Sequence, residues 1–172
     1  AAQDRAVREI AGDLSKPTPA NRLIQGDVGS GKTAVALYAM LMAVASGKQA
    51  SLMAPTELLA EQHYASISRT LTGTRVRVAL LTGATPDAER AATLAALSSG
   101  GIDILIGTHA LLTGDVRFAS LAVAVIDEQH RFGVAQRARL RAQASDDAST
   151  PHVLVMTATP IPRTLAITLF GD

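Results

Sequence analysis

Residues 26–33 read Gly-Asp-Val-Gly-Ser-Gly-Lys-Thr and fit the spacing G-x-x-x-x-G-K-[ST]. Before them stands a short apolar core, Leu23 and Ile24 within Asn21–Gln25, and after them residues 32–46 contain neither Gly nor Pro. Strand, glycine turn and helix in that order constrain the fold more than any other stretch of the chain. They also point to chemistry. Glycines let consecutive backbone N–H groups turn inward around a polyphosphate, and the helix that follows aims its positive dipole end at the same anion. Gly26, Asp27, Val28, Gly29, Ser30 and Gly31 would form the cradle. Lys32 would reach the β and γ phosphates as a point charge, and the Thr33 hydroxyl would hold Mg²⁺. A nucleoside triphosphate is the expected ligand.

The 172 residues are 48% hydrophobic, enough to bury about 70% of the unfolded surface in one core, so a single domain is the default. There is no cysteine, which excludes disulfides and thiolate metal sites. His63, His109, His130 and His152 show no metal-ligand spacing. The longest apolar run, residues 34–45, is twelve residues, too short to span a bilayer. It reads as a helix buried between a sheet and its neighbours, and the polar start Gln3-Asp4-Arg5 does not read as a signal peptide. With a net charge of +1, 3% aromatics and no Trp, any nucleic-acid contact must be local and made to backbone phosphates rather than to stacked bases.

Strands and helices alternate along the chain. Residues 4–14 suggest an amphipathic helix, 21–25 a first strand, and the helix after the glycine turn should stop at Gly47 in a left-handed C-cap. Residues 49–54 predict a second strand, followed by a helix capped by Thr56 and reaching about Leu71. Val76, Val78 and Leu80 alternate in a third strand over 75–81, and Pro86 suits the first position of another helix, which Gly100-Gly101 breaks. Three more runs, 102–106, 121–126 and 153–156, are rich in Val and Ile, as parallel strands buried on both faces are. Residues 145–150 read as a loop. The fold class is α/β, doubly wound, with a mostly parallel sheet and helices on both faces.

In such a sheet ligands collect at the carboxyl ends of the strands. Residues 121–126 lead into Asp127-Glu128-Gln129-His130, two adjacent acids leaving an apolar strand. Asp127 would hold the Mg²⁺ that Thr33 also touches, and Glu128 would orient and deprotonate an attacking water. After residues 153–156 come Thr157, Ala158 and Thr159. Two hydroxyls there could report the γ-phosphate state, although a Thr-capped strand end explains the residue types equally well. Gly107-Thr108-His109, taken alone, suits a strand-to-helix turn. Arg131, Arg137, Arg139 and Arg141 suit a solvated helix face rather than a site.

The order of these motifs, with residues 54–63 reading Ala-Pro-Thr-Glu-Leu-Leu-Ala-Glu-Gln-His, resembles the first motor domain of a superfamily 2 helicase. The finer resemblance, carried by residues 26–33, by His130-Arg131-Phe132-Gly133-Val134 and by residues 157–164, is to the RecG-type branch-migration helicases of bacteria. It covers almost the whole chain. Bacterial transcription-repair coupling translocases share much of it, but their acidic box is Asp-Glu-Glu-His, whereas this chain has Gln129. The Leu-Ser-Gly-Gly-Gln-like signature of transporter ATPases is absent from the sequence.

The resemblance implies ATP and Mg²⁺ as ligands, with Lys32, Asp127 and Glu128 catalytic. Gln3 matches a glutamine that reads adenine through its amide. Pro55, Thr56 and Glu57 match a segment that holds a DNA backbone at a helix N-terminus, and Thr108 with His109 match a second. Gln129, His130, Thr157 and Thr159 match residues coupling nucleotide to DNA. Residues 1–172 are then expected to be one RecA-like domain of a larger, cytoplasmic bacterial protein without a membrane partner. A second motor domain supplying arginines and an oligonucleotide-binding wedge would belong to the same parent chain. Branched double-stranded DNA would be the partner of that parent, and this domain alone would be nearly inert. A nucleotide-gated DNA-binding scaffold without turnover is the non-enzymatic alternative.

Overall fold

Short apolar strands separated by helices have one economical solution, a parallel sheet covered on both sides, and the chain adopts it. The computed structural model describes Arg8 and residues 21–25, 32–127 and 151–157; for residues 21–25, Lys32 and Thr157 the description is of the backbone alone. The elements are β1 (Asn21–Gln25), α1 (Lys32–Ala45), β2 (Gln49–Met53), α2 (Glu57–Thr70), β3 (Val78–Leu81), α3 (Asp87–Ser98), β4 (Ile104–Gly107), β5 (Leu121–Asp127) and β6 (His152–Thr157). A 3₁₀ turn, His109–Leu112, follows β4. The six strands pair in the order β1-β6-β5-β2-β4-β3, every pair parallel.

Side chains alternate across the pleat, so each strand feeds two cores. On one face Leu52, Ile104, Val125 and Met156 pack under Val35, Ala39 and Met40 of α1 and Ala60 and Ile67 of α2. On the other, Leu81, Leu105, Ile126 and Val155 pack against Leu97 of α3 and against Leu111 and Phe118. The doubly wound reading holds. α1 differs from its expected all-round burial: Val35, Ala36, Ala39, Met40 and Ala43 are buried, while Ala34 and Tyr38 are exposed. It covers the sheet without itself being covered on that side.

The helix ends follow local chemistry. After α1, Gly47 takes φ +78° and Lys48 N–H donates to the Ala43 carbonyl at 2.9 Å, the left-handed stop expected of a glycine. Thr56 caps α2 as expected, its hydroxyl accepting from Leu59 N–H at 3.2 Å, and Leu71 is the C-cap. Pro86 stands one place earlier than expected: its ψ of 149° makes it the N-cap of α3, whose first residue is Asp87.

Two strands are shorter at their start than the apolar runs suggest, because side chains take over the ladder there. Asp103 Oδ2 accepts from Arg77 N–H at 2.7 Å, so β3 begins at Val78 and not at residue 75. Ile102 gives its carbonyl to Gln49 Nε2 at 2.8 Å, and β4 begins at Ile104. Gln49 is itself 4% exposed, and it also donates to the Leu97 carbonyl at 2.9 Å and accepts from Ser120 N–H at 2.9 Å. One buried amide thereby ties the starts of three strands to the end of α3.

Candidate functional site

Parallel pairing sends the carboxyl ends of all six strands to one edge, and the register shows how level they lie. Ile24 pairs with Met156 and Met156 with Asp127. Ile126 pairs with Met53, Met53 with Gly107, and Gly107 with Leu81. One residue further along these strands stand Asp127, Ala54, Thr108 and Thr82. The segments picked out in the sequence therefore begin at one row across the sheet edge.

Along that row the site has two halves. The first is formed by the ends of β1, β6 and β5. β6 alone separates β1 from β5, so at about 4.8 Å per strand the exit of β1 into the glycine turn lies about 10 Å from the end of β5. α1 starts at Lys32, with six residues between it and β1, so its N-terminus faces this edge, with Thr33 half-buried in the first turn. Asp127 was expected just past its strand. It is instead the last residue of β5 and is buried, 7% exposed.

A buried carboxylate needs a partner, and Asp127 has one from outside this half of the site. His63 Nε2 lies 2.8 Å from Asp127 Oδ2, with the two side chains 15% and 9% exposed. Among the described residues no hydrogen bond reaches Oδ1. Nor do three acids or histidines cluster anywhere among them. A carboxylate at Asp127 and a hydroxyl at Thr33 are hard oxygen donors, the kind that Mg²⁺ takes together with phosphate and water. The donor set fits that ion.

The second half is formed by the ends of β2 and β4. Pro55, Thr56 and Glu57 are exposed at the N-terminus of α2, where free backbone N–H groups suit a phosphate. Glu57 adds an acid to that turn, good for the helix dipole and poor for an anion, so the amides and Thr56 suit a DNA backbone better than Glu57 does. Gly107 cannot be any other residue: an added Cβ would collide with the Leu81 carbonyl oxygen and with Leu111 Cδ2. Thr108 is buried, 3% exposed, and its hydroxyl accepts from Ala110 N–H at 3.3 Å to cap the 3₁₀ turn. His109 beside it is exposed, so at this segment it is His109 that can meet a phosphate.

Gln3, the glycine turn Gly26 to Gly31, Glu128, Gln129, His130 and Thr159 lie outside the described residues, as do the expected helix over 4–14 and the loop over 145–150. Thr157 is placed by its backbone, paired with Gln25. Sequence reasoning missed His63 as a site residue. The signal was present: Ala60, His63 and Ile67 recur at helical spacing, which puts a polar ring on a buried stripe.

No described helix is long and apolar enough to cross a membrane. Residues 1–167 match the model of the DEAD/DEAH box helicase family. The chain is 57% identical over 171 residues to the ATP-dependent DNA helicase RecG of Synechocystis and 54% identical to that of Bacillus subtilis, in each case over 99% of its own length. It spans 20% and 24% of those two relatives. A solved structure of RecG bound to a three-way DNA junction superposes with a TM-score of 0.86 at 44% identity, over 99% of this chain and 22% of that one. The DEAD-box helicase Mss116 shares the fold alone, with a TM-score of 0.69 at 21% identity, over 99% of this chain and 38% of that one. The glycine turn, the acid ending β5 and the segments at the ends of β2 and β4 follow one another as this match requires, and the chain belongs to the DEAD/DEAH box helicase family, with the RecG-type ATP-dependent DNA helicases as its relatives.

Proposed function

We propose that this chain is the first motor domain of a bacterial, cytoplasmic helicase that couples ATP hydrolysis to translocation on branched DNA. Fork reversal and Holliday-junction branch migration in DNA repair and recombination would be its outcome. The observation that carries the reading is the level row at the sheet edge, where the ends of β1 and β5 stand beside the exposed N-terminus of α2. The relatives named RecG, and the RecG structure with a three-way DNA junction, support this reading over a coupling translocase. The chain spans only a fifth to a quarter of those relatives, so a second motor domain and an oligonucleotide-binding wedge are assigned to the rest of the parent.

In this reading residues 26–31 and the start of α1 wrap the ATP phosphates, Gln3 reads adenine, and Lys32 neutralises charge on the β and γ phosphates. Magnesium held at Thr33 and Asp127 would draw charge from the phosphate oxygens. Glu128 takes the proton of the attacking water. Pro55, Thr56 and His109 hold the DNA backbone without reading its sequence, with Thr108 capping the turn that presents His109 and Glu57 at the edge of the contact. Gln129, His130, Thr157 and Thr159 are assigned the relay of the nucleotide state to the DNA contact. An isolated domain holds half of the cleft and hydrolyses ATP slowly, because arginines from across it are worth about 10³ to 10⁵ in rate.

The test is Glu128→Gln in the full-length parent. We expect DNA-stimulated ATPase to fall at least 10²-fold, the scale of a lost general base, with ATP binding intact. Normal turnover in that variant would remove Glu128 as the base.

A further inference from the structure

Asp127 belongs to the nucleotide half of the edge, yet the group that fixes its carboxylate comes from the other half. His63 reaches it from α2, and α2 begins at the exposed segment proposed to hold DNA. Six residues separate Glu57 from His63, about 9 Å along one unbroken helix at 1.5 Å per residue. His63 lies on the stripe of α2 that faces the sheet, between Ala60 and Ile67, both buried. An ionised carboxylate can only accept, so the ring N–H donates to Oδ2 and directs Oδ1 elsewhere. We propose that His63 is a positioning residue. It orients the Asp127 carboxylate toward the cation of the nucleotide, and through α2 it makes that orientation respond to DNA bound at residues 55–57.

A helix moves as a unit, so a phosphate drawn to its first turn shifts His63 with it. A 2.8 Å hydrogen bond weakens steeply once its length or angle changes. Groups that orient a metal ligand without touching the metal commonly change metal affinity 10-fold to 100-fold. His63 acts through Asp127 and touches neither nucleotide nor DNA.

The inference rests on the nucleotide site proposed above, and its test separates the two. In the full-length parent, Mn²⁺ binding is titrated by electron paramagnetic resonance with a non-hydrolysable ATP analogue, with and without forked DNA. His63→Leu keeps the volume and removes the donor; His63→Gln keeps a donor. We expect DNA to tighten Mn²⁺ in the wild type, and His63→Leu to weaken Mn²⁺ about 10-fold, to leave nucleotide affinity in chelator unchanged and to lose that tightening. His63→Gln should restore most of both effects. Wild-type behaviour in His63→Leu overturns the proposal, and so does equal impairment in both variants, which would mean that the ring only fills space. If the wild-type protein binds Mn²⁺ no better with the analogue than without it, the nucleotide site itself is misplaced. Should His63→Leu fail to fold, the ¹⁵N signal of His63 Nε2 in the wild type decides: it should shift when diamagnetic Mg²⁺ is added at constant analogue and again when forked DNA is added, and a signal blind to either contradicts the proposal.

Discussion

Gln49 illustrates how one residue can hold a fold that hydrophobic pattern alone would leave loose. Its amide donates to the Leu97 and Ile102 carbonyls in buried hydrogen bonds and accepts from Ser120 N–H in a half-buried one, tying the starts of β2, β4 and β5 to the end of α3. Gln49→Ala should cost about 2–4 kcal/mol, because it opens a small cavity and strands polar groups without water. Urea unfolding midpoints check this, and a loss below about 0.5 kcal/mol would mean that water replaces the amide. In the sequence Gln49 reads as a polar residue opening a strand; its partners are 48 to 71 residues away, and no local pattern names them. His63 differs, because its place on the buried stripe of α2 was legible and only its partner was not. Asp127 was singled out in the sequence only together with the glycine turn, since an acid ending a strand by itself suits a solvated turn equally well, and its burial was not legible there.

At the scale of elements, helices were easier to read than strands because their ends carry their own signals. Thr56 starts one helix and Gly47 stops another, by hydrogen bonds to atoms within five residues. The start of β4 instead depends on Gln49, and that of β3 on Arg77 and Asp103, 26 residues apart, whose contact replaces part of the ladder. That contact has a pH signature. Burial pushes the Asp103 carboxyl up, but hydrogen bonds from the Arg77 side chain and backbone together with its charge outweigh this, and the carboxyl lies below its ordinary value. A lowered folded value means that the stabilisation is complete above the unfolded value of about 3.9 and fades as pH falls through the folded one. Asp103→Asn should therefore be less stable than the wild type at pH 7, with the gap closing below about pH 4. Chemical denaturation at both pH values tests it; a gap that widens in acid would show that the carboxylate is not what matters. The ion pair is largely solvent-facing on the arginine side, so the effect should shrink in high salt.

At the scale of the molecule, the doubly wound architecture was legible because strands buried on both faces must be continuously apolar, and the runs at 121–126 and 153–156 are. The strand order was not. Nothing in the apolar runs places β6 between β1 and β5, and that placement sets the separation of the glycine turn from the acid. The order also pairs β5 with β2, so that the proposed nucleotide half and the proposed DNA half share one edge. The account stands or falls on that edge. The measurement that reaches it most directly is a crystal structure of the protein with a non-hydrolysable ATP analogue and Mn²⁺, located by anomalous scattering. The analogue's phosphates should lie at the N-terminus of α1, with Mn²⁺ between Thr33 and Asp127. Phosphates bound at any other edge of the sheet, or Mn²⁺ remote from Asp127, would contradict the account.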